Sequence, residues 1–299
     1  MSGKATQRVF LWLLCVSILL VSVVSFHSKK QEVPPPKDLV ITAPEVKVIT
    51  QLPKVQLIGH SVEERAIESY TFGNGPTHII FIGGIHGGYE WNSTLLAYEI
   101  IDHLTKNPSL VPANLTVDIL PSVNPDALYK VTGKVGKFSI DDVTHDKKIL
   151  IASRMNVNNV DLNRNFDCMW QPKSTWQSKI VSAGSGPFSE PETITIKDFI
   201  LRRQPAAVIF WHSKANGVYA SQCKHGILSE TKSLMNSYAQ ASGYSAISTF
   251  DAYPVTGAAE DWLASINIPA ITVELSSHET IELDKNIAGT EEVIKRYTK

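Results

Sequence analysis

A histidine and a glutamate stand four positions apart in GGIHGGYEWNS, residues 83–93, just after a run of β-forming residues. Zinc takes nitrogen and carboxylate ligands projecting from such a strand-to-helix corner. His86 and Glu90 are therefore a candidate metal pair, although an ordinary surface turn has the same look. A catalytic zinc needs a third protein ligand and an open position for water. VIFWHSKANGVY places His212 at the end of a strongly apolar run. The ordinary reading of such a residue is a hydrogen-bonded core histidine. Among the other histidines, His60, His103, His145 and His225 sit in polar loop or helix contexts, His27 lies in a linker and His78 begins a strand. Only His278, in VELSSHE, follows a strand as His212 does.

PAITVELSS puts Glu274 inside an otherwise apolar strand. An unpaired carboxylate there is costly, so it either pairs with a base or faces a cleft. A partly desolvated glutamate beside a metal site is suited to act as general base and then general acid in metal-assisted hydrolysis. The stretch SRMNVNNVDLNRNFD, residues 153–167, carries Arg154 and Arg164 ten positions apart among Asn156, Asn158, Asn159, Asn163 and Asn165. Guanidinium and amide groups at that density suit recognition of a carboxylate and a carbonyl oxygen. A solvated polar loop is the plainer alternative.

These residues need elements to hold them. THIIFIGG (77–84), LTVDILPSVN (115–124), PAAVIFWHS (205–213) and PAITVELSS (269–277) read as buried strands. WNSTLLAYEIIDHLTKN (91–107) has helical spacing, with Leu95, Leu96, Ile100, Ile101 and Leu104 on one side. SEPETITIKDFILRRQ (189–204) opens with an N-cap serine, a proline and early acids, and continues as a helix. Strands interleaved with helices predict an α/β domain around a central mixed, largely parallel sheet flanked by helices. In such sheets chemistry gathers at the carboxyl ends of strands, where the candidate residues fall.

The chain has 299 residues, is 43% hydrophobic and carries a formal charge of −1. Nothing in that balance marks a nucleic-acid binder, so no nucleic-acid partner is expected. Residues 9–26, VFLWLLCVSILLVSVVSF, form eighteen positions without a charge, just long enough to cross a bilayer as a helix. They have no polar face and no clean A-x-A cleavage site follows, which favours a signal anchor over a cleaved signal peptide. HSKKQEVPPPKD then reads as an extended linker. The expected organisation is a membrane or signal segment at 1–26, a Pro-rich linker at 27–45 and a globular domain at 46–299. The domain is expected outside the cytoplasm, anchored through its N-terminal segment or secreted. Cys15 lies in the apolar run, and Cys168 and Cys223 are left for the folded part, either as one bridge or as two buried thiols. Sequons occur at Asn92 and Asn114. Asn92 lies beside the candidate metal pair, where a glycan would block access, so it reads as unmodified.

The string RMNVNNVDLNRNF resembles the signature of the zinc metallocarboxypeptidases, the carboxypeptidase A/B-like family, in its regulatory and bacterial branches. Other pieces occur in the family's order: IGHSVEERAIESYTFG, HGGYEWN, SVNPDALY, GPFSEPET, WHSKANGVY and YPVTGAAEDWLASINIPAITVEL. The resemblance covers roughly residues 55–299, and its overall look is similar to small bacterial members such as the murein peptide amidases. It implies one zinc ion held by His86, Glu90 and His212, with Glu274 activating water and Arg154 polarising the scissile carbonyl. It further implies that Asn163 and Arg164 grip the substrate's terminal carboxylate, that Tyr253 closes over the substrate and that Glu260 sets a preference for a basic leaving residue. The implied substrate is a peptide or a bacterial wall peptide, cut at the last bond or at a γ-D-glutamyl-diaminopimelate bond.

Two positions depart from the family pattern. One extra residue separates His86 from Glu90 where the usual spacing is His-x-x-Glu, and Ala127 follows Asn-Pro-Asp where glycine is usual. Two other readings of the chain stand beside the peptidase. One is a zinc deacylase of N-acyl amino acids, of the aspartoacylase or succinylglutamate desuccinylase type, which typically carries a further C-terminal β domain. The other is a non-catalytic binding module, which predicts the loss of a ligand or of the base.

Overall fold

The computed structural model describes residues 52–298. The expected membrane or signal segment and the Pro-rich linker lie outside the described residues. Among these residues, no helix is long and apolar enough to cross a membrane.

Among the described residues ten strands run in chain order: β1 (Lys54–His60), β2 (Ala66–Gly73), β3 (Thr77–Ile82), β4 (Leu115–Leu120), β5 (Lys173–Trp176), β6 (Lys179–Ser182), β7 (Ala207–Ser213), β8 (Gly217–Ala220), β9 (Ser245–Ile247) and β10 (Ala270–Leu275). The α-helices are α1 (Trp91–Lys106), α2 (Pro125–Thr132), α3 (Lys147–Ala152), α4 (Pro191–Arg203), α5 (Ser229–Ser242), α6 (Ala259–Ser265) and α7 (Leu283–Arg296). Eight strands form one sheet in the order β1-β2-β4-β3-β7-β10-β8-β9, and β5 with β6 makes a separate hairpin. The four central strands β4, β3, β7 and β10 are mutually parallel. Antiparallel pairings join β1 to β2, β2 to β4 and β8 to β10. The sheet is thus mixed and parallel at its centre, as the alternation of strands and helices predicts.

Every residue of β4 and of β7 is buried, as expected for strands covered on both faces. Side chains alternate between the faces. Phe81, Ile209, Trp211, Ile271 and Val273 pack with α1, α5 and α7 through residues such as Leu96, Ile100, Tyr238 and Val293. Ile80, Ile82, Val208, Phe210 and Ala270 pack with α4 and α6 through Ile196, Phe199 and Trp262. His212 and Glu274 continue this second series beyond Phe210 and Ala270, at the carboxyl ends of β7 and β10.

Two sequence expectations shift in detail. The first two predicted strands end earlier, at Ile82 and Leu120. Gly83 follows the one, and Pro121, which has no N–H for the ladder, follows the other. The N-cap of α4 is Glu190 instead of Ser189. Pro191 takes the first helical position, which suits its fixed φ, so the cap falls on the residue before it. The Ser189 hydroxyl instead donates to the Glu190 carboxylate at 2.8 Å.

Cys168 and Cys223 are joined in a disulfide across 55 positions of sequence. It ties the segment after Asn165 to the turn that follows β8. Two backbone bonds hold the first of these segments to Gly257: Phe166 N–H donates to Gly257 O at 2.9 Å, and Gly257 N–H to Cys168 O at 2.8 Å. Gly257 has φ +72°, and a Cβ there would lie 2.2 Å from the Arg164 carbonyl oxygen, so only glycine permits this approach. Replacing both cysteines by serine should destabilise the fold by roughly 2–4 kcal/mol through the freed loop. The urea midpoint under non-reducing conditions measures this, and reductant should shift the parent by the same amount.

Candidate active site

The corner after β3 carries the first two candidate ligands. Its extra residue is taken up by a turn in which Gly87 N–H donates to Gly84 O and Tyr89 N–H to His86 O, both at 3.1 Å. Gly87 adopts φ +45°, and a Cβ there would lie 2.5 Å from the Cβ of Ala127. The two departures from the family pattern therefore face each other, with the methyl of one occupying the space left by the other. The turn delivers Glu90 to the start of α1 with its carboxylate 2.8 Å from His86 Nδ1.

His212, near the end of β7, brings its Nδ1 to 3.0 Å from the second Glu90 oxygen and 3.2 Å from His86 Nδ1. All three side chains are buried, and their ligand atoms lie within 4.8 Å of one another. Two imidazole nitrogens that close repel unless something positive sits between them. Both Nε2 atoms lack a hydrogen-bond partner among the described residues. His86 Nε2 nevertheless faces Asp161 Oδ1 at 3.3 Å. A carboxylate behind the ring favours the Nε2–H tautomer and leaves Nδ1 as the free lone pair. Two nitrogens, one carboxylate and room for water make a donor set that fits a zinc ion. Burial alone would push the Glu90 carboxyl up, but the His86 charge and the His212 hydrogen bond hold it well below the usual range. Ser213 N–H steadies it further, donating to Oε2 at 3.1 Å. His278, the rival ligand, is absent from this cluster. Its Nδ1 lies 2.7 Å from the Ser213 hydroxyl.

Glu274 is the register partner of His212 on the neighbouring parallel strand, so both side chains emerge on the same face of the sheet. Its Oε2 accepts from Ala215 N–H at 3.1 Å. Burial pushes its carboxyl up to about 7, against the pull of His212 and with a further push from Glu90. It lines a cavity of about 360 Å³ together with the three candidate ligands.

Arg154 is buried. Its Nε donates to Asp161 at 2.9 Å and its Nη1 to Glu90 at 3.2 Å, while its guanidinium lies 4.6 Å over the Trp176 ring. Arg164 is held by the hairpin: Nε and Nη2 donate to Thr175 O at 3.2 and 3.1 Å. Asn163 Oδ1 accepts from Ala259 N–H at 2.8 Å, which leaves its NH₂ as the group available to the cavity. Arg154, Asn163, Arg164, Tyr253 and Glu260 all line that cavity. Tyr253 packs edge-on against Phe250 at 4.9 Å, and Glu260 Oε2 is buried without a hydrogen-bond partner among the described residues. The nine side chains singled out in sequence thus meet in one cavity.

Four others in or behind the cleft were not singled out. Asp161 joins His86 to Arg154, and the nearby Arg154 and Arg164 charges outweigh its burial and hold its carboxyl far below the usual range. Its signal was present as the one carboxylate between the two arginines of the Asn-rich stretch. Asp261, beside Glu260, accepts from Gln222 N–H at 2.9 Å. Burial, followed by the Glu260 charge, pushes its carboxyl up to about 7. Tyr89 and Trp176 stack edge to face at 5.1 Å on the cavity wall. Trp176 comes from a hairpin with no strand signal strong enough to read in sequence.

An α/β sheet with a buried two-histidine, one-glutamate centre at the ends of its parallel strands defines a zinc hydrolase scaffold. The family description "Zinc carboxypeptidase", peptidase M14, matches residues 47–295, and the chain belongs to that family. The family's cofactor is one zinc ion, and His86, Glu90 and His212 fit it. Curated relatives include γ-D-glutamyl-L-diamino acid endopeptidase 1 of Lysinibacillus sphaericus, 24% identical over 74% of this chain and 60% of that protein. Murein peptide amidase A of Escherichia coli K12 is 32% identical over 44% of this chain and 56% of its own length. The chain thus aligns with less than two thirds of each of these relatives. The fold matches that of murein-tripeptide amidase from E. coli O157, with TM-score 0.59, 23% identity and coverage of 86% of this chain and 98% of that one. It also matches bovine thrombin-activatable fibrinolysis inhibitor, with TM-score 0.63, 18% identity and coverage of 82% and 90%.

Asp161→Asn removes the carboxylate behind His86 and should weaken zinc binding roughly 10- to 100-fold, the usual loss for an outer-shell partner of a metal-bound histidine. Competition with a fluorescent chelator measures this, and an unchanged affinity would mean that the 3.3 Å contact does not orient the ring.

Proposed function

We propose that the chain is a zinc-dependent metallocarboxypeptidase. It would hydrolyse the last peptide bond of its substrate, or a γ-D-glutamyl bond to a diamino acid, and prefer a basic leaving residue. The observation that supports this reading is the register of Glu274 with His212, which sets a buried carboxylate beside the candidate metal ligands in one cavity. Bound by His86, Glu90 and His212, zinc would supply Lewis acidity and lower the pKa of a water toward about 7.

The remaining steps fall to the chain's own residues. Glu274 takes the proton from the attacking water and passes it to the leaving amine. The Arg154 guanidinium donates to the substrate's carbonyl oxygen as negative charge develops there. Asp161 and Trp176 hold that guanidinium in place beforehand, as preorganised stabilisation requires. Arg164 and the Asn163 amide bind the free carboxylate of the chain end, so only the last bond reaches the centre. Tyr253 covers the bound residue. Glu260 and Asp261 offer carboxylates to its side chain, which suits lysine, arginine or the amine end of a diamino acid. The relatives named for γ-D-glutamyl-diamino acid and murein peptide bonds support the last of these.

We place this activity outside the cytoplasm, with the N-terminal apolar run as anchor or export signal. The Cys168–Cys223 disulfide supports this, because such bonds persist in oxidising compartments.

Glu274→Gln should lower turnover at least 100-fold while the chain still holds one zinc. Mass spectrometry with wall tripeptides and with Lys-, Arg- and Phe-ended peptides reads the first quantity, and metal analysis the second. Turnover within threefold of the parent would sink the mechanism, and cleavage only of N-acyl amino acids would make the chain a deacylase.

The leaving-residue pocket should also titrate. Asp261 is neutral below about pH 7 and ionised above it, so the pocket gains negative charge as pH rises through that value. KM for a Lys-ended peptide should therefore fall between pH 6 and 8, while KM for a Phe-ended peptide should not. Asp261→Asn should flatten the Lys profile.

A further inference from the structure

A second cavity, of about 480 Å³, adjoins the first. Tyr89, Lys214 and His278 line both. None of the groups assigned to the leaving residue or its carboxylate (Asn163, Arg164, Tyr253, Glu260) touches the second. A substrate whose chain end is gripped by those groups must lead its preceding residues out of the cleft by another exit. The shared residues mark where the second cavity opens.

The chemistry of this cavity is mixed in a specific way. Its apolar side comes from Trp91, Val143 and Leu150, with Ile140 and Ile151 at the rim, the last two 53% and 44% exposed. Its charged lining is Lys147, Lys214 and one acid, Glu279. Neither lysine makes an ion pair among the described residues, where lysine ion pairs engage Lys134, Lys137, Lys197, Lys285 and Lys295. Two neighbouring acids of the same segment are engaged locally, and Asp141 is exposed and does not line the cavity. Asp142 accepts from the Ser139 backbone and hydroxyl at 2.8 and 3.1 Å. Asp146 caps α3 through the Lys148 and Ile149 N–H groups. The entrance beside the metal ligands therefore carries an ammonium, Lys214, with no carboxylate committed to it. Lys147 repeats that charge further along an apolar wall.

We propose that this cavity binds the acyl half of the substrate and selects a residue with a free carboxylate next to the scissile bond. Lys214 takes that carboxylate, and Lys147 adds to the attraction. This rests on the peptidase reading above and narrows it. The leaving residue is basic, the residue before it is acidic, and the enzyme reads a charge pair of defined polarity across the bond it cuts. Two chemistries supply such a carboxylate: an α-linked glutamate through its side chain, and a γ-linked glutamate through the α-carboxylate left free by the linkage.

The test uses the full-length chain and two substrate pairs: acetyl-Ala-Glu-Lys against acetyl-Ala-Gln-Lys, and a γ-D-glutamyl-lysine peptide against its α-carboxamide. The measured quantity is the ratio of KM between amide and acid within each pair. The parent should favour the acid by about tenfold in at least one pair, an advantage that shrinks as salt is raised. The pair showing it identifies the source of the carboxylate. Lys214→Glu should abolish or invert the ratio, and Lys147→Glu should reduce it. Lys147→Glu, on a surface helix, keeps the test open should Lys214→Glu fail to fold.

The same ratios are read as Kd by calorimetry on the zinc-loaded Glu274→Gln chain, where no turnover is needed. Equal affinity for acid and amide in the parent, or a ratio that neither lysine substitution moves, overturns the proposal. Full turnover by Glu274→Gln would instead overturn the peptidase mechanism and leave the binding ratios to decide the subsite.

Discussion

The site depends on the burial of two imidazoles and a carboxylate whose coordinating atoms converge on one point. His86 Nδ1 and His212 Nδ1 lie 3.2 Å apart, and Glu90 reaches both. Desolvated polar groups are tolerated only when paired, and two nitrogens with a carboxylate are a donor set that a zinc ion would pair. Much of the surrounding polar structure serves to aim these three groups: Asp161 behind one ring, Ser213 N–H and the Arg154 guanidinium on the carboxylate. The same contacts also fix Arg154, so the group proposed to meet developing charge is held by residues that also touch the candidate metal ligands. A change at Asp161 therefore acts on two side chains at once, His86 and Arg154.

The sheet supplies the rest through register. Parallel pairing of β7 and β10 sets Glu274 beside His212. A one-residue slip would turn Glu274 into the apolar cluster under α1, α5 and α7, where a carboxylate has no partner. The continuous burial of Val208, Phe210, Ala270 and their neighbours fixes that register. The hydrophobic core is in this sense part of the geometry of the candidate site.

What could be read from sequence divides along physical lines. The central strands and the long helices α1 and α4 show strong hydrophobic patterns, and they end within a few residues of their expected limits. The two histidines and Glu274 were visible as polar groups where apolar runs end. The grouping of Asn163, Arg164, Tyr253 and Glu260 rested on family resemblance, because residues scattered over ninety-odd positions show no periodicity that betrays a common cavity. Asp261 and Trp176 were not read as site residues. The one gains its character from burial beside Glu260, and the other stands on a four-residue strand. Lys214 carried no signal at all, since a lone exposed lysine is ordinary until the cavities on either side of it are seen. The disulfide remained one of two readings because pairing depends on the approach of distant loops.

The compensation between Gly87 and Ala127 shows why the altered spacing of the first motif does not disturb the centre. An added residue between His86 and Glu90 would displace the carboxylate if the turn stayed extended. Two i→i+3 hydrogen bonds wind it instead, which needs a positive φ at Gly87. The wound turn leaves a gap on its outer side. Ala127 fills it with a methyl that would collide with any Cβ at position 87. Glycine at one position and alanine at the other are then a single solution to one packing problem, in which a side chain is moved from the turn to the helix facing it. Read singly, each position departs from the pattern; taken together, they keep Glu90 within reach of both histidines.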